Sequence, residues 1–186
     1  MKKVTPLLFA SMFIIIHANA QYQVFSENIG TTSVGTSTPT ARNYTGFQNY
    51  GVGNIKFEAP TGSTTTIRDN SGSSSGYTNA SGGNHVNIAG NSSSYLKISK
   101  IYVRGATNTK IAFGVSKTKV EENGNSLNVA VTVDGNTVNF SPVLVTGPGS
   151  TKWRYFESSI AIPRGDTMTI DLLNISDNTN SVSFKI

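Results

Sequence analysis

Alternation of apolar and polar residues with a period of two most restricts what this chain can fold into. Leu127, Val129, Val131 and Val133 are separated by Asn128, Ala130 and Thr132, so the segment buries one face and wets the other, as a strand does. Met168, Ile170 and Leu172 repeat the pattern, as do Ile111, Phe113 and Val115 and, near Ile186, Val182 and Phe184. Leu96 and Ile98 run in one phase and Ile101 and Val103 in the other, which predicts an extra residue inserted at a bulge. Asp134-Gly135-Asn136 separates the first run from Val138 and Phe140, and residues that tolerate positive φ at that point predict a β-hairpin. No helical stripe follows the leader. Roughly ten short strands with frequent turn signals predict an all-β fold, a two-sheet antiparallel β-sandwich of the jelly-roll kind.

The first twenty residues read separately. Lys2 and Lys3 precede an apolar run from Leu7 to Ile16, and Ala18-Asn19-Ala20 supplies a small-x-small cleavage site, the layout of a secretory signal peptide over 1–20. The chain is therefore expected to be secreted, to the extracellular space, the cell surface or the periplasm, as one β-sandwich domain over 21–186. The apolar run is shorter than the roughly 20 residues of a spanning helix, and nothing later is long enough, so no membrane span is expected. The chain has no cysteine. A lipidated mature N-terminus and a disulfide framework are thereby excluded, and stability must come from a packed core.

Residues 30–94 are crowded with Ser, Thr, Gly and Asn, yet Phe47, Ile55, Phe57, Ile67, Tyr77, Val86 and Ile88 recur through them as core anchors. A linker would lack such anchors, so this is an ordered, loop-rich part of the domain. Charged residues are 13% of the chain, about half the usual share. The formal charge of +5 includes Lys2 and Lys3, which leaves +3 on the processed chain and no case for specific nucleic-acid binding. Lys97, Lys100, Arg104, Lys110, Lys117 and Lys119 come with no acid among them. On neighbouring strands some would share a face, either one that attracts an anionic polymer or a solvated one that protects an edge.

Catalytic machinery is scarce. Of the two histidines only His85 follows the leader, and it has no nucleophile elbow nearby; one histidine without cysteine also falls short of a zinc ligand set. Glu27, Glu58, Glu121, Glu122, Glu157 and the aspartates offer carboxylates for glycoside hydrolysis, but Glu121 and Glu122 lie in a stretch that reads as a solvated loop. Arg164-Gly165-Asp166 spells an adhesion tripeptide and reads more simply as a turn between two strands. No enzyme is expected.

Several motifs carry a resemblance. Val24-Phe25-Ser26-Glu27-Asn28-Ile29-Gly30, Tyr44-Thr45-Gly46-Phe47-Gln48-Asn49, Ile67-Arg68-Asp69-Asn70, Ser75 to Asn84 and Ile111 to Lys117 follow one another in an order that resembles a β-sandwich domain of secreted Bacteroidetes proteins. In that group the domain often accompanies extracellular nucleases and other hydrolases. The resemblance implies a galactose-binding-like jelly roll, an accessory role and a partner hydrolase. Such domains usually end in Phe-Arg-Ile-Asp-Asp, where this chain reads Phe184-Lys185-Ile186. The departure removes acids that would supply a calcium ligand and allows for a reading frame that extends past Ile186.

The expected function is a noncatalytic binding module with a glycan or surface polysaccharide as its partner. Trp153 and Tyr155 lie in one predicted strand, and with Tyr77 they offer rings for stacking against a sugar, while Arg68 and Asn84 offer hydrogen bonds to its hydroxyls. As the sole tryptophan, Trp153 is equally suited to the core. No cofactor is required, although Asp69 and Asp177, in Asp-Asn turns, are candidate oxygen ligands for a structural calcium. The alternatives are an accessory fragment of a nuclease or glycosidase and a structural protein of the cell surface or matrix.

Overall fold

The alternating segments pair into two antiparallel five-stranded sheets, described by a computed structural model over residues 23–35, 37–69, 74–148, 151–176 and 181–186. The leader and Asp177 lie outside the described residues. The strands are β1 (Lys56–Glu58), β2 (Thr65–Arg68), β3 (His85–Ile88), β4 (Tyr95–Tyr102), β5 (Ala112–Lys117), β6 (Leu127–Val133), β7 (Asn136–Phe140), β8 (Arg154–Glu157), β9 (Thr167–Asn174) and β10 (Phe184–Lys185). The first sheet has the order β1-β4-β9-β6-β7 and the second β2-β3-β10-β5-β8. Setting aside the edge strands β1 and β2, strands β3 to β10 have the interleaved order of an eight-stranded jelly roll, crossing between sheets at nearly every connection. Among the described residues helix is confined to a 3-10 turn at Ala41–Asn43.

The register follows from which residues face inward. In the first sheet three apolar rows run across the central strands: Leu96-Leu172-Val129, Ile98-Ile170-Val131 and Ile101-Met168-Val133. Against them the second sheet sets Ile67, Val86, Ile88, Val115 and Phe184, all fully buried. The phase slip read in the sequence is a bulge: between Ile98 and Ile101, β4 spends one residue more than β9 does between Ile170 and Met168. Lys100 takes a φ of 61° there. The predicted hairpin also forms, with Val133 opposite Asn136. Asp134 and Gly135 have φ values of 45° and 87°, the two positive angles that a type I′ turn needs. The Asp134 carboxylate then accepts from the backbone N–H groups of Asp166 and Thr167 at 2.8 and 3.2 Å. Arg164-Gly165-Asp166 is thus a packed turn leading into β9, and Gly105 N–H donates to the Gly165 carbonyl at 2.7 Å.

Two polar clusters tie the layers together. Asn174 is fully buried on β9, where its amide donates to the carbonyls of Val182 and Ala89 at 2.7 and 2.8 Å. It thereby stitches the first sheet to the ends of β3 and β10. The second cluster is Glu27, whose carboxylate accepts from the N–H groups of Ile29, Gln48 and Asn49 at 2.9, 2.8 and 3.0 Å and from the Asn49 side chain at 3.0 Å. Tyr44 Oη donates to the Ile29 carbonyl at 3.2 Å and accepts from Asn84 Nδ2 at 2.9 Å. Phe47 closes the cluster beneath, stacked on Phe57 with centroids 4.0 Å apart. The N-terminal motifs of the resemblance therefore meet in one knot that holds the 23–54 segment to the sandwich.

Hydrogen bonds to an ionised acceptor contribute roughly 1.5–3 kcal/mol each, and Glu27 carries several. Glu27→Ala should lower the stability of the domain by at least about 2 kcal/mol in urea denaturation, with the strand spectrum retained. An unchanged midpoint would show that the knot is not structural.

Candidate functional site

The inward set of the second sheet fixes its outward set. Because Ile67, Val86, Val115 and Phe184 point into the core, the period of two sends Arg68, His85, Gly114, Ser116 and Lys185 to the opposite face. Arg68 lies opposite His85, Asn87 opposite Lys185, and Gly114 opposite Tyr155. Trp153, two residues before Tyr155, belongs to the same face, and its ring meets His85 edge-on at 5.8 Å and 78°. Four of the expected ligand residues, Arg68, Tyr77, Trp153 and Tyr155, are thus gathered on the outer face of one sheet.

Tyr77 and Tyr155 form the open part of this face. Gly114 has no side chain, so Tyr77, carried by the loop before β3, lies across the strand at that point; a Cβ on Gly114 would collide with its phenol end. The two rings sit with centroids 6.2 Å apart, tilted by 37°, and Tyr155 is 51% exposed. Tyr155 Oη donates to Glu157 Oε2 at 3.3 Å, and Lys110 Nζ bonds Glu157 Oε1 at 2.8 Å. The hydrogen bond from Lys110 holds the Glu157 carboxyl below its ordinary range. Partial burial, then the Glu157 charge, pushes the Tyr155 phenol up.

The remaining expected residues have other employment. Trp153 is only 8% exposed and lies outside the inter-sheet core, packed edge-on against His85. Asn84 is 3% exposed, and its amide donates to the Thr32 carbonyl at 2.8 Å and to Tyr44 Oη. Both N–H bonds are spent on the loop knot, which gives Asn84 a structural role. Asp69 Oδ2 accepts from the Ser33 hydroxyl and from Gly35 N–H at 3.0 Å, and the Ser33 bond chiefly lowers its pKa. Among the described residues no three His, Cys, Asp or Glu side chains gather as a metal site.

The basic run disperses. Lys97 lies on the first sheet opposite Asp171, Lys110 pairs with Glu157, and Lys117 points into the core at 1% exposure. There its Nζ donates to the carbonyls of Val145 and Val120 at 2.8 and 3.2 Å, and desolvation lowers its pKa. No shared basic face forms from these three. A further cleft, of about 390 Å³, is lined by Gln48, Val52, Asn54, Ile55 and Tyr102, with Asn54 Nδ2 at 3.4 Å from Tyr102 Oη. Sequence reading missed it because its walls come from three separate segments, 24–26, 48–55 and 101–102, with no shared pattern.

No protein-family model and no curated protein matches the chain. Among solved structures, it is similar to TmCBM61 in complex with β-1,4-galactotriose, at 15% identity over 71% of this chain and 83% of that one, with a TM-score of 0.44. A family 35 carbohydrate-binding module from Clostridium thermocellum is 15% identical over 70% and 96% of the two chains, with a TM-score of 0.31. A family 16 carbohydrate-binding module is 13% identical over 66% and 80%, with a TM-score of 0.37. These neighbours are carbohydrate-binding modules, and scores this low carry no argument about the residues or ligand of this chain. Among the described residues no helix is long and apolar enough to cross a membrane.

His85 gives this face a pH signature. It is 2% exposed, and burial, reinforced by the charges of Lys185 and Arg68, lowers its pKa from the ordinary 6.5 to about 4. A depressed histidine must be neutral in the folded state, so its contribution is complete above pH 6.5 and drains away as the pH falls towards 4. The expected loss over that window is on the order of 3 kcal/mol. His85→Leu should flatten that slope in urea denaturation. Equal slopes for the two proteins would contradict the assignment.

Proposed function

We propose that the chain is a noncatalytic glycan-binding module that holds saccharide on the Tyr77–Tyr155 platform. The observation that supports this is the pair of tilted rings side by side on a sheet's outer face, with Glu157 and Lys110 at their edge. A sugar presents an apolar C–H face, which an exposed ring covers, and a rim of hydroxyls, which a carboxylate and an ammonium group bond. On this reading the leader exports the chain, and attachment to a polysaccharide is what the protein contributes, alone or beside a hydrolase.

Catalysis fits the platform poorly. A glycosidase needs one carboxyl kept protonated near neutral pH, facing a second across the bond to be cut. Glu157 is instead held ionised by Lys110. The carboxyl that burial pushes upward, Asp171, lies in the first sheet, on the other layer of the sandwich.

Affinity electrophoresis through a panel of neutral and acidic polysaccharides tests the proposal. At least one should retard the protein, with Tyr155→Ala and Tyr77→Ala each weakening binding about tenfold. Gly114→Ala should do the same by displacing Tyr77, without loss of folding. Stacking and hydrogen bonds to uncharged hydroxyls should persist at about 0.5 M salt, where surface charge attraction is screened. Absence of retardation across the panel, or full binding by Tyr155→Ala, would overturn the reading.

A further inference from the structure

Beside the ring pair, the same outer face opens into a cleft of about 310 Å³ whose walls include Arg68, Asp69, His85, Asn87 and Lys185. We infer that this cleft is an oxyanion site, built to take a carboxylate, sulfate or phosphate group. Three independent features of the cleft lead there.

The first is charge. Arg68 stands directly across the β2–β3 ladder from His85, and Lys185 stands across the β3–β10 ladder from Asn87, so two cations flank the imidazole on its own face. The ion pair among the described residues, Lys110–Glu157, is elsewhere. Asp69, the acid at the rim, turns Oδ2 to Ser33 and Gly35, which orders the 33–35 segment beside the cleft.

The second is an unmet hydrogen-bonding demand. His85 is 2% exposed, it lines the cleft, and neither Nδ1 nor Nε2 has a hydrogen-bond partner. Buried polar atoms in folded proteins are nearly always paired, so a ring with both nitrogens orphaned points to a missing guest. A neutral imidazole offers one N–H and one lone pair. Both nitrogens lie beneath the cleft surface, so an oxyanion held by Arg68 and Lys185 accepts the N–H after a small shift of the cleft wall.

The third is rigidity. The ladder with Arg68 fixes the His85 backbone, and the edge-on contact with Trp153 braces its ring before any guest arrives. Trp153, buried where a stacking residue would be open, thereby gains a role as the wall that holds His85. The site does not depend on the Tyr77–Tyr155 platform, and either can fail without the other.

Nuclear magnetic resonance of the His85 ring and of the backbone amides of Arg68, His85, Asn87 and Lys185 tests the inference. The probes are sodium glucuronate, sodium sulfate and sodium phosphate, with glucose as the neutral control and sodium chloride at matched ionic strength. At least one oxyanion should give saturable shifts at millimolar concentration. Glucuronate alone would identify a saccharide carboxylate as the guest, and equal response to sulfate or phosphate would identify the bare oxyanion. The groups facing His85 are Arg68, Lys185 and Asp69, and a bound anion added to them should raise the His85 titration midpoint by about one unit, since it favours the imidazolium. Arg68→Gln and Lys185→Gln, chosen because neither residue is buried, should each weaken binding at least tenfold, while Tyr155→Ala should leave it within twofold. Shifts that chloride or glucose reproduces, shifts that survive in the Arg68→Gln, Lys185→Gln double variant, or none at all would overturn the inference.

Discussion

Burial of one face of each sheet against the other is the constraint on which everything else in this molecule depends. With no cysteine to staple the chain, the three rows Leu96-Leu172-Val129, Ile98-Ile170-Val131 and Ile101-Met168-Val133 must be covered by Ile67, Val86, Ile88, Val115 and Phe184. A slip of one residue in any strand would turn its apolar set to water and its polar set to the core. The bulge in β4 is the device that avoids such a slip. It absorbs Ser99 and Lys100 without moving Ile98 or Ile101 off the inner face. The same register decides the outer face, so Arg68, His85, Gly114 and Tyr155 stand together because the core leaves them nowhere else to point.

The architecture was largely legible because period two is a local signal. The runs at 127–133 and 168–172 appear as strands, the last run pairs only at Phe184–Lys185, and the phase break after Ile98 and the Asp134-Gly135 turn appear where the pattern put them. The N-terminal motifs of the resemblance turned out to describe architecture as well. Glu27, Tyr44, Asn49 and Asn84 bond one another and the backbone, which explains why they come as separated short motifs: each supplies one strand of a knot.

What was not legible required partners far away in the chain. Lys117 continues the alternation of Ile111, Phe113 and Val115, so its position predicts an inward side chain while its charge predicts an outward one; position prevailed because two loop carbonyls receive its ammonium group. Trp153 and Tyr155 share a face, yet Trp153 is buried, edge-on to His85, and Tyr155 is open. The cover that Tyr77 gives to Gly114 had one sequence trace, a glycine within a strand. The opposition of Arg68 and His85 had none, since it depends on how β2 and β3 register.

The two sheets divide the labour: the first supplies the apolar rows, and the second supplies core on one face and, on the proposed reading, contact surface on the other. The most direct test maps amide chemical-shift changes when a fragment of the best-retarding polysaccharide is added to the labelled protein. Changes should centre on Tyr77, Gly114, Tyr155 and Glu157, with the 48–55 segment and Tyr102 unmoved. Changes centred instead on the cleft between the 48–55 segment and Tyr102, or spread over the outer face of the first sheet, would contradict this division.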